Sequence, residues 1–425
     1  MKILKIGSRG PSVELLQLAL DRAGYGELVT DGIFGQKTKN ALLRFQAGSG
    51  LSADGIAGPQ THRAILPWYT GFLSHRIYPG ETLWSISRQY GTTVGAIRTA
   101  NPGTVAENLA VGSVITVPLP FDVVPTNVSY TSALVGYCVR GIAARYPFVR
   151  TGELGRSVMG KPLRYLALGE GDHRVFYNAA HHANEWICVP LLLKFSEELA
   201  RARALGGKIS GIPAADIFAA SQIFIAPCVD PDGMELVTGE LSSGDYYSSA
   251  RRIAERYPGI PFPSGWKANV RGVDLNLQYP AGWETARENK LALGISGPAP
   301  ADFVGNAPLS APEARAMYDF TLSLSPRLVL AYHTQGMVIY SGFDGLEPPG
   351  STELAAKLSA ASGYASESAP YASGFAGYKD WFVQDFDRPG YTVEAGRGVN
   401  PLPLTQFDKI YADNLGILTL AALPI

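Results

Sequence analysis

The stretch His181-His182-Ala183-Asn184-Glu185-Trp186 constrains this chain more than any other. Val175-Phe176-Tyr177-Asn178-Ala179-Ala180, just before it, reads as a buried strand. Residues 187–205, just after it, are apolar-periodic and read as a helix. Polar groups therefore gather where a strand hands over to a helix, and open α/β sheets bind ligands there, beyond the carboxyl ends of their strands. An imidazole and a carboxylate with two residues between them are metal-ligand types, and nitrogen plus oxygen donors suit zinc. His182 and Glu185 are read as two ligands of a catalytic zinc. An H-x-x-E pair alone is more often a surface ion pair or a helix-start carboxylate, so this reading rests on what the rest of the chain brings.

From about residue 126, apolar β-rich runs alternate with helices, at 174–180, 222–228, 327–332 and 390–393. The pattern predicts an α/β fold with a central mixed sheet flanked by helices. Three runs end in chemistry. Leu328-Val329-Leu330-Ala331-Tyr332 leads into His333, and Tyr391-Thr392-Val393 into Glu394. The run 223–229 leads into Asp230-Pro231-Asp232-Gly233. Of six histidines, His62 and His75 fall in the first 120 residues, which leaves His173, His181, His182 and His333 as candidates. His181 is expected to pack away from its neighbour, and His173 to sit in a solvated loop. Turn roles are expected for Asp230 and Asp232, and an exposed helix face for Arg251-Arg252. Ser310-Ala311-Pro312-Glu313 predicts a capping-box start for a helix to about Leu324.

As an ordered set, His182-x-x-Glu185, Pro231-Asp232-Gly233, Gly272-Val273-Asp274-Leu275-Asn276, His333 and Glu394 resemble the zinc carboxypeptidases of the M14 (carboxypeptidase A-like) family, over most of residues 126–425. The hexapeptide at 181–186, Trp266-Lys267-Ala268-Asn269 and Asp274-Leu275-Asn276-Leu277-Gln278-Tyr279-Pro280 are most similar to bacterial γ-D-glutamyl-meso-diaminopimelate endopeptidases. Those enzymes cut the peptide stem of peptidoglycan and often carry LysM modules.

The resemblance implies that His182, Glu185 and His333 hold one zinc ion and that Glu394 is the general base. Zinc lowers the pKa of a bound water toward about 7, where a carboxylate can take its proton. Lys267 stands where the family has an arginine that polarises the scissile carbonyl; it keeps the charge and loses the planar fork. Arg271 is the rival for that role. Asn276 and Tyr371 match substrate-holding positions, and Asp274 is expected to orient a ligand histidine. One departure is informative. Carboxypeptidases follow that Asn with an Arg that clamps a free C-terminal carboxylate, whereas this chain has Leu277. The loss favours cleavage inside a branched stem peptide at the γ-D-glutamyl-diamino acid bond. That linkage leaves a free α-carboxylate beside the scissile bond, for which Arg397 or Arg271 is the expected partner. The rival readings are a zinc carboxypeptidase trimming C-terminal residues of stem peptides or proteins, and a non-catalytic wall-binding protein. Whether the diamino acid is diaminopimelate or lysine stays open.

The first 120 residues divide into two modules. Asp31-Gly32-Ile33-Phe34-Gly35-Gln36-Lys37-Thr38 returns as Asp54-Gly55-Ile56-Ala57-Gly58-Pro59-Gln60-Thr61, each a turn followed by a helix start. With Gly10-Pro11-Ser12-Val13 and Leu43-Arg44-Phe45-Gln46, residues 1–70 resemble a three-helix peptidoglycan-binding domain. Residues 71–120 read β-α-α-β, with a first strand at His75-Arg76-Ile77-Tyr78, a helix after Thr82 and a break at Asn101-Pro102. They resemble a LysM domain, which implies N-acetylglucosamine-containing glycans as partners. The third domain is expected at 121–425.

Composition fits this division. At 425 residues the length suggests two to four domains, and 46% hydrophobic residues suit ordinary globular ones. A net charge of −1 argues against nucleic acid or an anionic membrane surface as the main partner. The beginning of the chain has no sustained apolar run of the signal-peptide kind. The expected location is the cell wall or outside the cell by a non-obvious export route, or else the cytoplasm or a sporulation compartment. Cys138, Cys188 and Cys228 are too few and scattered for a disulfide framework and are expected as buried small hydrophobes.

Overall fold

The repeated Asp-Gly-Ile segments are one hydrogen-bonded loop built twice. In the computed structural model, which describes residues 2–106, 108–371 and 374–424, helices α1 (Pro11–Arg22), α2 (Gln36–Gly48) and α3 (Pro59–Thr70) form the first module. Gln17 on α1 donates to Asp31 Oδ1, Ile33 O and Thr38 Oγ1 at 2.8, 3.1 and 3.1 Å, and accepts from the Gly32 amide at 3.0 Å. Gln46 on α2 repeats this with Asp54, Ile56 and Thr61 at 2.9, 3.0 and 3.1 Å, and with the Gly55 amide at 2.9 Å. Both glycines are left-handed, at φ +68° and +72°, as such a turn requires. Hydrogen bonds hold both aspartates below the usual carboxylate range, from Gln17 foremost at Asp31 and from the Ile56 amide foremost at Asp54.

The second module pairs β1 (Phe72–Arg76) antiparallel with β2 (Val114–Pro118) around α4 (Leu83–Gln89) and α5 (Val94–Ala100). Thr82 and Ser85 make a capping box, and Thr93 caps α5. The Asn101 side chain ties the end of α5 to β2 through Ile97 O, Thr116 O and the Thr116 amide. Ile77, Leu83, Ile86, Ile97, Ile115 and Val117 form the core. The first strand begins earlier than the alternation at 75–78 predicts, because α3 ends at Gly71 and the chain turns straight into β1.

The chain divides into two compact units, 1–150 and 151–425. The first unit includes α6 (Ser132–Arg145), beyond the expected division at 120. Arg145 donates to Gly71 O at 3.1 and 2.7 Å and to Leu119 O at 2.8 Å, and Tyr69 stacks on Tyr137 with centroids 5.2 Å apart.

The larger sheet contains β3 (Arg150–Arg156), β4 (Pro162–Leu168), β5 (His173–Ala179), β8 (Ser221–Ala226), β9 (Leu328–His333), β10 (Val338–Ser341), β11 (Ala365–Ser368) and β12 (Gly390–Glu394). A two-residue ladder, β6 (Lys208–Ile209) with β7 (Ile212–Pro213), stands apart from it. The sheet order is β11-β10-β12-β9-β5-β8-β4-β3. The central four, β12, β9, β5 and β8, are parallel, while β10 and β4 join them antiparallel. Alternation along β5 sends neighbouring rings to opposite faces. Phe176 packs with Met317, Tyr378 and Phe382, from helices Pro312–Leu324 and Tyr378–Phe386. Tyr177 faces Phe195 on α7 (Cys188–Leu205) and donates to Leu418 O on helix Phe407–Leu420. The result is the mixed sheet flanked by helices that the alternating runs predict. Among the described residues no helix is long and apolar enough to cross a membrane.

Two local expectations fail. Helix Pro312–Leu324 has no side-chain cap; Glu313 is buried and instead accepts from the Val158 amide at 2.8 Å and Asn269 Nδ2 at 3.2 Å. His173 opens β5, half-buried, rather than sitting in a solvated loop. The three cysteines are buried, as expected.

Replacing Gln46 by Leu leaves the Gly55 amide without its acceptor. Native-state hydrogen exchange is expected to show that amide at least about tenfold faster than in the wild type, a loss of roughly 1–3 kcal/mol. An unchanged rate would contradict the role given to the repeated loop.

Candidate metal centre

Parallel pairing sets the site. Glu394 and His333 end β12 and β9 and are register partners across the two strands. Beyond the end of β5 the chain turns at Ala180, whose φ of +57° is left-handed and costs a non-glycine residue on the order of 1 kcal/mol. The Val229 and Asp230 amides bond Ala179 O and Ala180 O at 3.0 and 2.9 Å and hold that turn. His181 then points inward, fully buried, with Nε2 3.0 Å from the Tyr279 hydroxyl. His182 faces the cleft, and the short helix Ala183–Glu185 brings Glu185 beside it. Beneath this helix Asp230 caps helix Pro231–Thr238 through the Gly233 amide at 2.9 Å. A Cβ on Gly233 would lie 2.7 Å from Ala183 Cβ and 2.8 Å from Ala268 O, so only glycine lets the two turns pack. The Pro-Asp-Gly motif thus supports the metal-facing turn, and its acids are turn and packing groups. Asp232 accepts from the Met159 amide and pairs with Lys161 at 3.0 Å.

His182, Glu185 and His333 offer ligand atoms within 4.8 Å of one another. The two Nδ1 atoms are 3.2 Å apart. Glu185 Oε1 is 3.0 Å from His182 Nδ1, and Oε2 is 2.9 Å from His333 Nδ1. On its other side His182 Nε2 is 3.1 Å from Asp274 Oδ1. A carboxylate there accepts the Nε2 proton and leaves the Nδ1 lone pair aimed into the cluster. Two imidazole lone pairs and a carboxylate converging on one buried point repel each other unless a cation lies among them. The His–Glu–His donor set with an open side is that of a catalytic zinc, so the residues fit the ion that the sequence suggests.

The electrostatics are those of a cation site. Without a metal the cation is a proton: burial opposes the charge on His182, yet Glu185 and Asp274 outweigh it and hold the imidazole up at about 9, and zinc would take that proton's place at Nδ1. Burial also disfavours the Asp274 and Glu185 carboxylates, but His182 and Lys267 hold both well below the usual range. Lys267 Nζ lies 3.3 Å from Glu185 Oε1; burial lowers its affinity for a proton, and Glu185 more than restores it. Glu394 is pushed up to about 8, by burial first and then by Glu185.

These groups line a cleft of about 400 Å³ that also holds Asp274, Asn276 and Leu277. Asn276 Oδ1 accepts from the Tyr378 amide at 3.0 Å. Tyr371 is 71% exposed, packs edge-on against Phe375 and lines a smaller adjoining lobe. Arg271 and Arg397 are exposed and line neither space. The sequence reading missed Lys290, Lys379, Thr334 and Asn400 in the cleft. Thr334 donates its amide to Glu185 Oε2 at 3.2 Å and its hydroxyl to Asn400 Oδ1 at 2.7 Å. Thr334 adjoins His333, the one available signal; the others stand outside any motif.

Comparison with known proteins agrees with this geometry. The zinc carboxypeptidase family model matches residues 137–415, a putative peptidoglycan binding domain matches 9–65, and a LysM domain matches 75–118. Gamma-D-glutamyl-L-diamino acid endopeptidase 1 of Lysinibacillus sphaericus is 41% identical over 289 residues, covering 68% of this chain and 71% of that protein. Among solved structures, bovine thrombin-activatable fibrinolysis inhibitor, in complex with tick carboxypeptidase inhibitor, shares the fold at a TM-score of 0.53 and 18% identity, over 69% of this chain and 96% of that one. Carboxypeptidase A from Helicoverpa armigera shares it at 0.51 and 20%, over 80% of each chain. By its sequence and by the fold that carries the His182–Glu185–His333 cluster, this chain belongs to the M14 family of zinc carboxypeptidases and is a metallopeptidase.

Proposed function

We propose that this metallopeptidase is a peptidoglycan hydrolase that cleaves the γ-D-glutamyl-diamino acid bond of cell-wall stem peptides. The observation that carries the reading is Leu277 in the cleft beside Asn276, where an arginine would clamp a chain-terminal carboxylate. The relative from L. sphaericus, named for that bond, supports it. The proposed division is a peptidoglycan-binding module at 1–70, a LysM module at 71–120 and the peptidase at 121–425. The two modules hold the enzyme on glycan strands at the wall and raise its effective concentration near the stems.

His182, Glu185 and His333 hold one zinc ion, with Asp274 fixing the His182 tautomer. Bound there, zinc would supply Lewis-acid chemistry for the scissile carbonyl and for the attacking water. Glu394 takes a proton from the attacking water and returns it to the leaving amine. Lys267 steadies negative charge growing on the carbonyl oxygen. Asn276 and Tyr371 hold the substrate. Arg271 and Arg397, from exposed loops, are the outer candidates for the free α-carboxylate of the D-glutamyl residue.

Mass spectrometry of a digested L-Ala-γ-D-Glu-diaminopimelate-D-Ala peptide is expected to show L-Ala-D-Glu and a diaminopimelate-D-Ala fragment. Loss of the terminal D-Ala alone would instead make the enzyme a carboxypeptidase. Glu394→Gln should cut turnover by about 10²–10⁴-fold while zinc content and binding to purified wall persist; turnover within tenfold of wild type would remove Glu394 from catalysis. Asp274→Asn should weaken zinc affinity about 10–100-fold, read by competition with a chelator, and unchanged affinity would contradict the tautomer argument. If Arg271→Ala and Arg397→Ala together leave turnover unchanged, neither arginine holds the substrate.

A further inference from the structure

The loop that follows Glu394 is tied to the loop that follows His333. The Ala395 amide donates to His333 O at 2.8 Å, the Gly336 amide to Gly396 O at 2.9 Å and the Gly398 amide to Gln335 Oε1 at 3.4 Å. Residues 397–399 are exposed, and half-buried Asn400 then lines the cleft. Asn400 commits its side chain to a single neighbour. Its Oδ1 accepts from Thr334 Oγ1 at 2.7 Å, and its Nδ2 donates to Thr334 O at 2.9 Å. Two bonds to one residue fix its orientation as well as its distance. Thr334 is buried, and its amide donates to Glu185 Oε2 at 3.2 Å.

Glu185 has little else to orient it. Its Oε1 lies 3.0 Å from His182 Nδ1 and 3.3 Å from Lys267 Nζ, and its Oε2 lies 2.9 Å from His333 Nδ1. Both imidazole nitrogens are ligand atoms, so neither steadies the carboxylate once it holds an ion. Lys267 carries a point charge on a flexible stem, and its side chain is 36% exposed. Among the described residues, the Thr334 amide is then the one backbone donor to this carboxylate. Ligating carboxylates are themselves held by hydrogen bonds, and loss of such an outer partner weakens metal binding by about 10–100-fold.

We infer that Asn400 is a positioning residue of the metal centre: by gripping both polar groups of Thr334 it holds the Thr334 amide on Glu185, and so sets how that carboxylate meets the ion. The loop behind the general base thereby helps to shape the ligand set in front of it. The inference rests on the zinc ligands proposed above.

The test uses the full-length protein with Asn400→Ala, Thr334→Val and the double variant. Chelator competition should show zinc affinity lower by about tenfold or more in Asn400→Ala. Thr334→Val keeps the amide and removes the hydroxyl, so it should act in the same direction, and the double variant should bind zinc about as well as Asn400→Ala alone. The visible absorption bands of the cobalt-loaded protein, which report coordination geometry, should shift in Asn400→Ala. Hydrogen exchange of the metal-free protein should show the Thr334 amide at least about tenfold faster in that variant, with the amides inside β9 unchanged. Unchanged zinc affinity, unshifted cobalt bands or fully additive losses would each overturn the inference. Acceleration of the Thr334 and β9 amides together would overturn it too, since Asn400 would then only support the fold. Rapid exchange of the Thr334 amide in wild type would do so without any variant. Wild type that binds no zinc would remove the ligand set itself and this inference with it.

Discussion

Two imidazole lone pairs held 3.2 Å apart beside a buried carboxylate are the constraint on which the rest of the site depends. Such an arrangement is unfavourable without a positive charge among its members, so the fold must enforce it. It does so from three directions: the parallel register that sets His333 beside Glu394, the left-handed turn at Ala180, and Asp274 behind His182. The strands beneath are among the most deeply buried parts of the chain, with every residue of β9 buried. Moving one ligand by an ångström would mean shifting a close-packed sheet, which makes the cluster rigid.

Rigidity at the ligands contrasts with the charge pattern around them. The cleft is lined by Lys267, Lys290 and Lys379, with no arginine among its described lining residues. An arginine fork in this family clamps a planar carboxylate; lysines act as point charges that meet carboxylates in several geometries. A branched stem peptide presents carboxylates at several places, and a cleft with three separated ammonium groups and Leu277 suits it better than one built around a single clamp.

Much of this was legible from residues alone, for identifiable reasons. Strand-then-ligand junctions at His182, His333 and Glu394 are visible because buried parallel strands read as continuous apolar runs that end where polar groups begin. The internal repeat at 31–38 and 54–61 is visible because each copy needs the same Asp-Gly turn for the same glutamine to grip. What the sequence hid is of a different kind. Glu313 resembles a capping residue, yet it is spent on Val158 and Asn269, from distant segments that local pattern does not reach. Lys379 and Lys290 lie in helices Tyr378–Phe386 and Trp283–Ala292 with no local pattern to mark them, and only tertiary packing turns them into the wall. Arg271 and Arg397 stand near motifs in sequence but are exposed in the fold.

The central claim is that His182, Glu185 and His333 bind one zinc whose open side faces Glu394. X-ray absorption at the zinc edge of the purified protein tests it most directly. The account predicts close to one zinc per chain, two imidazole nitrogens at about 2.0–2.1 Å and oxygen ligands at about 2.0–2.2 Å. Sulfur scattering near 2.3 Å, or the loss of only one of the two imidazole signals when both His182 and His333 are replaced by alanine, would contradict it.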